Sequence, residues 1–304
     1  MHQNNPHKDP YNFELLLQVH TSLEAFVFTN EYKVHTIDFA NPKAVFHLNK
    51  ALLLHHYKLD NYELPPGYLC PGVPGRADYL CYVKSLLDAH QKTNNDSVRY
   101  KALDIGVGAN CIYPIIGAQL FNWQMVGADI NSDAIASAKA IVGATKALKN
   151  KIEIRQQPNN AHIFMDIIKE DDYFDITICN PPFHTSELEA TKGTLRKLAN
   201  ISKDNDYASR KESIQNFGGK ANELWCNGGE ALFIKRMIKQ SVAYKSKVGM
   251  FTTLVSNKSH LNKLYKQLDK AKANHTTVAM PIGNKTSRML AWSFDAKKLI
   301  KKNN

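Results

Sequence analysis

The 304-residue sequence lacks the features of several large protein classes. No apolar run approaches the ~20 residues of a membrane-spanning helix, and the first thirty residues lack the basic-then-apolar pattern of a secretion signal. The five cysteines are odd in number and include no C-x-x-C pair, which argues against a disulfide framework and against a zinc site. We therefore expect a cytoplasmic protein with reduced thiols, no bound metal and no membrane contact.

Acidic residues are scarce in the last quarter of the chain. Residues 231–304 contain sixteen Lys and Arg but only two acids, whereas the preceding 230 residues contain twenty-three bases and twenty-six acids. The formal charge of +11 is thus concentrated near the C-terminus. Such a segment predicts contact with a polyanion, with nucleic acid favoured over membrane, although lysine used only for solubility would explain the same composition.

The apolar pattern divides the chain into two predicted regions. Residues 1–95 indicate a helical N-terminal region. In residues 96–304, short apolar runs alternate with helical stretches, which predicts an α/β fold with a mostly parallel sheet covered by helices on both faces. A polar insertion at about 184–229 interrupts this order and is either a functional loop or a disordered segment. The seven predicted strands are Ala102–Ile105, Met125–Ile130, Ile152–Arg155, Phe174–Cys179, Val248–Val255, Thr276–Met280 and Met289–Phe294.

A glycine turn follows the first of these strands. The D-x-G-x-G pattern of Asp104, Gly106 and Gly108 lies where a ligand could approach the main chain. The third glycine of the dinucleotide fingerprint is absent because position 111 is Cys, so the turn need not hold a pyrophosphate. Taken alone, the turn could equally serve only tight packing.

An acid ends the second strand. Asp129 lies about twenty residues beyond the glycine turn, at the position where a carboxylate can accept both hydroxyls of a ribose. It could instead cap the helix predicted over 132–148, although Asn131 or Ser132 could do the same. The turn and the acid together favour a nucleoside-containing cofactor. No contact is assigned to Gln157–His162, which follows the third strand.

The most informative motif is Asn180-Pro181-Pro182-Phe183, after the fourth strand. Two prolines stiffen the chain and remove its amide donors, so carbonyl oxygens are left to face a ligand. An Asn side chain beside such a carbonyl offers acceptors for both hydrogens of an amino group, and an aromatic ring can stack on the base that carries it. The preceding Cys179 could suggest a cysteine nucleophile, but a buried strand residue is the favoured interpretation.

These motifs resemble those of class I S-adenosylmethionine-dependent methyltransferases that modify exocyclic amino groups. More narrowly, the sequence is similar to the RlmF family of ribosomal RNA methyltransferases over nearly its whole length. The matching runs are Asn5–Pro10, Pro74–Tyr79, Gly106–Pro114, Asn180–His184, Gly228–Glu230 and Ala291–Phe294.

The resemblance implies a Rossmann-like fold with a seven-stranded, mostly parallel sheet and a helical N-terminal extension that contacts RNA and covers the cofactor. It implies transfer of a methyl group from S-adenosylmethionine to N6 of one adenine in 23S ribosomal RNA. The expected partner is that RNA or a large-subunit assembly intermediate, and the enzyme is expected to act as a monomer. A eukaryotic relative acts on small nuclear and messenger RNA.

Residue roles follow from the resemblance by position. The cofactor-binding residues it implies are Arg76, Asp104, Gly106, Gly108, Asn110, Asp129 and Asn180. Asp129 would hold the ribose, and Arg76 would clamp the carboxylate of the methionine part. Asn180 and the Pro181 carbonyl would bind the adenine amino group, Pro182 completes the catalytic motif, and Phe183 would stack on the base.

Other functions share some of these features. The same motif type serves enzymes that methylate guanine N2 or a protein glutamine amide. A non-catalytic RNA-binding scaffold could keep the fold, but it would have no reason to retain Asp129 together with Asn180–Phe183. An NAD-dependent oxidoreductase is disfavoured by the missing third glycine.

Overall fold

The structure is a computed structural model that describes residues 1–66, 68, 71–89, 99–182, 228–282 and 285–299. Phe183 and nearly all of the insertion at about 184–229 lie outside these ranges. The roles assigned to them from the sequence therefore stay predictions.

The N-terminal region contains three helices and a small hairpin. Helices α1 (Phe13–Val19) and α2 (Pro42–Tyr57) are capped at their N-termini by Asn12 and Asn41. The side chains of these two residues accept hydrogen bonds from backbone amides of the first helical turn. Between these helices come a 3₁₀ turn (Thr21–Phe26) and strands β1 (Val27–Thr29) and β2 (His35–Ile37), which pair in antiparallel. Helix α3 spans Val73–Asp88. The sequence did not predict the hairpin, because three-residue strands are too short for their alternation to be recognised.

The rest of the described chain forms one seven-stranded sheet. Its order is β5-β4-β3-β6-β7-β9-β8. Strand β9 runs in the direction opposite to the other six strands. All seven predicted strands are confirmed. The elements are β3 (Lys101–Ile105), α4 (Ile112–Leu120), β4 (Gln124–Asp129), α5 (Ser132–Ala144), α6 (Lys146–Lys149), β5 (Ile152–Gln156), β6 (Phe174–Cys179), α7 (Gly229–Ser241), β7 (Val248–Val255), α8 (Leu261–Lys270), β8 (Asn274–Ile282) and β9 (Lys285–Ser293).

Two hydrophobic clusters cover the two faces of the sheet. Successive strand residues point to opposite faces, so Ala102 belongs to one cluster and Leu103 to the other. The first cluster joins α4 and α5 to the N-terminal helices, and the second contains residues 163–168, α7 and α8. The N-terminal helices and the sheet therefore share a core, and the division at residue 95 stays a prediction.

The parallel strands bring separate segments to one edge of the sheet. Strands β3, β4, β5 and β6 run in the same direction, so their carboxyl ends meet there. No helix in the described part of the chain is both long and apolar enough to cross a bilayer.

Candidate active site

A cavity of about 580 Å³ opens at the carboxyl edge of the sheet. Its wall includes four residues predicted from the sequence to be functional: Gly106, Asp129, Asn180 and Pro182. The remaining lining residues come from the ends of β3, β4 and β6, from the segment after β5, and from α7. They are Ile105, Ala128, Ile130, Asn131, Gln157, Asn160, Ala161, His162, Ile163, Ile167, Cys179, Phe233 and Arg236.

The glycine turn is held against the end of the neighbouring strand. The backbone amides of Gly106 and Val107 both donate to the carbonyl of Ala128, each at 2.9 Å. Gly106 has a φ of +81°, a conformation that favours glycine. Gly127 permits the close approach of the two segments, because a Cβ at this position would lie 2.7 Å from Cγ2 of Val107.

Asp129 links the same turn to the start of α5. Its Oδ2 accepts from the backbone amide of Gly108 and its Oδ1 from that of Asn131, each at 2.9 Å. Asn131, and not Asp129, caps α5 by accepting from the amide of Ala134. Burial raises the pKa of Asp129, and these backbone donors oppose the shift. The carboxylate is thus fixed in place, with remaining lone pairs at the cavity wall.

Asn180 offers an unengaged polar side chain on the wall of the cavity. It follows β6 directly and is half-buried, and its side chain makes no hydrogen bond to any described residue. Pro181 is buried, and Pro182 lines the cavity. The amide of Asn180 is therefore available to a ligand.

Cys179 is an unsuitable nucleophile. It is 1% exposed, and burial raises the pKa of its thiol, with the Asp104 carboxyl adding to the shift. A thiolate is the reactive form of cysteine, so a thiol held protonated is inert. The expectation of a buried strand residue is confirmed.

Asp104 is fully buried, and neither carboxyl oxygen has a hydrogen-bond partner among the described residues. Burial raises its pKa well above the usual range, and the nearby Asp129 carboxylate adds to the shift. The buried hydroxyls of Tyr113 and Thr177 likewise have no partner within the described ranges. A natural chain rarely leaves several buried polar atoms unsatisfied in one region, which suggests that a ligand completes them.

Arg76 belongs to the same neighbourhood as Asp104. Burial raises the pKa of Tyr113, while the charge of Arg76 lowers it and the charge of Asp104 raises it, so both groups lie close to the Tyr113 ring. Arg76 is half-buried on α3 and has no hydrogen-bond or ion-pair partner in the described chain. A guanidinium and a carboxyl close to one tyrosine suit the two charged ends of an amino acid.

Some predicted cofactor residues do not reach the cavity wall. Arg76, Asp104, Gly108 and Asn110 all lie outside its lining. The side-chain oxygen of Asn110 accepts from the amide of Ile112 at 3.1 Å, so it supports the start of α4. Asp104 lies near Cys179, which does line the cavity, so a ligand that reached both would extend inwards past the glycine turn.

Sequence reasoning missed two parts of the wall. The segment Gln157–His162 could have been found, because it follows β5 just as Asp129 ends β4, and parallel strands end at the same edge. Phe233 and Arg236 carry no such local signal. They reach the wall because α7 is tied to this segment: Gln240 donates to the carbonyl of Ala161 at 2.7 Å and accepts from the amide of Ile163 at 2.8 Å.

The described residues contain no group of three or more His, Cys, Asp or Glu side chains that could hold a metal ion.

This sheet order, with a cavity between the ends of β3, β4 and β6, defines a class I methyltransferase. A family model described as "RNA methyltransferase" matches residues 1–296. The chain therefore belongs to this RNA methyltransferase family.

Close relatives carry one name. The chain is 50% identical to the ribosomal RNA large subunit methyltransferase F of Christiangramia forsetii, covering 97% of this chain and 100% of the relative. It is 45% identical to the protein of the same name from Bacteroides thetaiotaomicron, covering 97% of each.

Solved structures of human METTL16 are similar in fold. The catalytic domain bound to the MAT2A 3'UTR hairpin 6 superposes with a TM-score of 0.77 at 27% identity, covering 97% of each chain. The N-terminal domain bound to SAH gives a TM-score of 0.74 at 26% identity, covering 97% of this chain and 99% of that domain. A methyl donor of the S-adenosylmethionine type fits the family and this neighbour.

Proposed function

We propose that the protein transfers a methyl group from S-adenosylmethionine to the N6 amino group of a specific adenine in 23S ribosomal RNA. The observation that carries the proposal is Asn180, whose side chain is unengaged on the wall of a cavity that also includes Asp129. The names of the large-subunit rRNA methyltransferase relatives support the choice of RNA.

The residues present suit each part of this cofactor. The oxygens of Asp129 accept from backbone amides, Oδ2 from Gly108 and Oδ1 from Asn131, and a carboxylate has about four acceptor sites, so capacity remains for the ribose. Arg76 would clamp the carboxylate of the methionine part. The unsatisfied oxygens of Asp104 and the hydroxyl of Tyr113 would accept its ammonium. Gly106 would let the backbone approach the cofactor, with Gly108 and Asn110 holding the turn.

The cofactor supplies an electrophilic methyl group on a positively charged sulfur. The Asp129 carboxylate, at the end of β4, gives this edge of the sheet a negative potential. That potential favours a cationic donor over its neutral product.

The amino group of adenine is a poor nucleophile because its lone pair is delocalised into the ring. The side-chain oxygen of Asn180 and the carbonyl of Pro181 would accept its two hydrogens and favour a more electron-rich nitrogen. Phe183 would stack on the base and fix its angle to the methyl group. Catalysis then consists of orientation and charge arrangement, without a covalent protein intermediate.

The target base must leave its stack to reach the cavity wall at Asn180. We therefore propose an unpaired or flipped-out adenine in 23S rRNA or in a large-subunit assembly intermediate. The enzyme would act as a monomer in the cytoplasm, where bacteria such as those that carry the relatives assemble ribosomes.

The test is methylation of ribosomal RNA from cells that lack this protein, with labelled S-adenosylmethionine, followed by nucleoside analysis. N6-methyladenosine is the expected product. N2-methylguanosine would show that guanine, and not adenine, is the substrate. Label on a glutamine of added ribosomal protein would show that the substrate is a protein. No transfer at all would refute the proposal.

Asn180→Ala is the matched variant for this assay. It should abolish transfer while cofactor affinity stays within a few-fold of the wild type, because the amide acts on the substrate. Asn150→Ala, at an exposed position after α6, is the control and should retain full activity. Normal turnover by Asn180→Ala would remove the assigned role.

A further inference from the structure

Helices α7 and α8 lie side by side on the second face of the sheet. Ile234 and Met237 of α7 belong to the same buried cluster as Leu264 and Leu268 of α8. A hydrogen bond of 2.6 Å from the side chain of Gln267 to the carbonyl of Lys235 joins the two helices. Their outer surfaces therefore form one continuous face.

That face is populated by lysines. On α8, Lys263, Lys266 and Lys270 recur every three or four residues and are exposed, on the side away from the buried leucines. On α7, Lys239 is exposed and Lys235 is half-buried. We call these five residues the basic helix face. None of them forms an ion pair with another described residue.

Few acids offset these charges. Residues 228–272 contain ten Lys and Arg but only two acids, Glu230 and Asp269. Glu230 is 2% exposed, and its carboxylate accepts from the backbone amide of Ser256 at 2.6 Å and contacts Nδ1 of His260 at 2.8 Å. Asp269 is exposed on α8 and lies 3.3 Å from His275, so it is the one acid on these two helices left to offset the five lysines. The basic helix face therefore keeps a net positive charge.

The basic helix face begins at the rim of the cavity. Arg236 lines the cavity and donates to the carbonyl of Asn160 at 3.2 Å, and it stands between Lys235 and Lys239 on the same helix. A chain of phosphates laid along α7 and α8 would therefore lead towards the cavity.

We propose that the basic helix face binds the sugar–phosphate backbone of RNA that flanks the target base. Lysine is a point charge without the planar fork of arginine, so the contact would be independent of sequence. The proposal rests on the proposed function for the identity of the polyanion. It separates electrostatic capture of the substrate, on α7 and α8, from base recognition at Asn180.

The magnitude follows from counterion release. Each phosphate neutralised on single-stranded nucleic acid contributes about 0.7 to the slope of log affinity against log salt, so three lysines contribute about 2. A rise in salt from about 50 to about 200 mM should then weaken RNA binding by the wild type about 16-fold more than binding by a variant without them.

The variant combines Lys263→Gln, Lys266→Gln and Lys270→Gln, which keep helix propensity because glutamine and lysine differ little in it. The matched control combines Lys139→Gln, Lys146→Gln and Lys149→Gln, three exposed lysines of α5 and α6 on the opposite face of the sheet. Both variants lose the same formal charge. Dissociation constants for an rRNA fragment that contains the target are measured across the salt range, with KM and kcat for methyl transfer.

The α8 variant alone should show the flatter salt slope and a raised KM for RNA, with kcat unchanged. Equal slopes in both variants, or a wild-type slope in the α8 variant, would overturn the proposal and leave these lysines to solubility. A failure of the proposed function would give a different result. The wild type would then transfer no methyl group to adenine, whereas the salt slopes would still measure RNA binding by the basic helix face.

Discussion

Replacing Asp104 with Asn should have two opposite effects, one on the stability of the protein and one on its affinity for the cofactor. The change keeps the shape of the side chain but removes its ionisation. In the folded protein the pKa of Asp104 is raised well above the usual range by burial and by the Asp129 carboxylate. In the unfolded chain the same group ionises near its ordinary pKa of about 3.9.

The sign of the stability effect follows from linkage. Between the unfolded and folded pKa, the unfolded chain has released the proton that the folded chain retains, so rising pH favours unfolding. Each pH unit in that interval costs the wild type about 1.4 kcal/mol relative to Asp104→Asn. The free energy of unfolding of the variant should therefore increase relative to that of the wild type as pH rises from below 4 towards neutrality.

Cofactor affinity should change in the other direction. If Asp104 accepts the ammonium of the methionine part, its carboxyl must ionise on binding and form a buried charge pair. Removing one partner of such a pair costs about 3–5 kcal/mol, so we expect the dissociation constant of S-adenosylhomocysteine to rise roughly 100- to 4,000-fold.

Two measurements check this reasoning. Chemical denaturation of both proteins across pH gives the stability difference, and titration calorimetry in buffers of different ionisation enthalpy counts protons released on cofactor binding. We expect about one proton from the wild type near neutral pH and none from Asp104→Asn, since only a carboxyl has one to lose. Parallel stability curves together with no proton release would refute the assigned role.

Three further predictions concern the same edge of the sheet. Asp129→Ala should weaken cofactor binding about 10- to 100-fold through loss of a charged hydrogen-bond acceptor, measured by calorimetry against the exposed Asp171→Ala; equal affinities would contradict the ribose contact. Phe183→Ala should raise the KM for RNA and lower kcat without changing cofactor affinity, and a loss confined to cofactor affinity would contradict base stacking. Gly127→Ala should lower the free energy of unfolding by about 1–3 kcal/mol because its Cβ would crowd Val107, whereas Gly143→Ala, where nothing lies within 4 Å, should not destabilise; equal denaturation midpoints would show that Val107 moves aside at no cost.

Much of the fold was predictable because its signals are local. Each sheet strand is a short apolar run, and the spacing of helical stretches between them indicates parallel crossovers. The hairpin of β1 and β2 was not predictable, because its three-residue strands are held by packing: Ile37 is 2% exposed within the first core cluster.

Part of the candidate site could likewise be predicted from the sequence, and part of it could not. Asp129 and Asn180 could be identified because each follows a recognisable strand, and the structure brings both to one cavity. The alternative of Asp129 as a helix cap could be decided only from the structure, since Asn131, two residues further on, competes for that role. Phe233 and Arg236 could not be identified, since they reach the wall from α7, a helix that begins well beyond the catalytic motif in the chain.

By itself, the sequence determined the class of fold, the glycine turn, the spaced acid, the Asn-Pro-Pro motif and the concentration of positive charge near the C-terminus. These properties depend on residues close together in the chain, where backbone geometry and side-chain period leave a readable pattern. Only the tertiary structure decided that Asp104 is buried with no hydrogen-bond partner among the described residues, and that the lysines of α7 and α8 share one face leading to Arg236. Such facts depend on which segments pack together, and burial and charge proximity are properties of that packing.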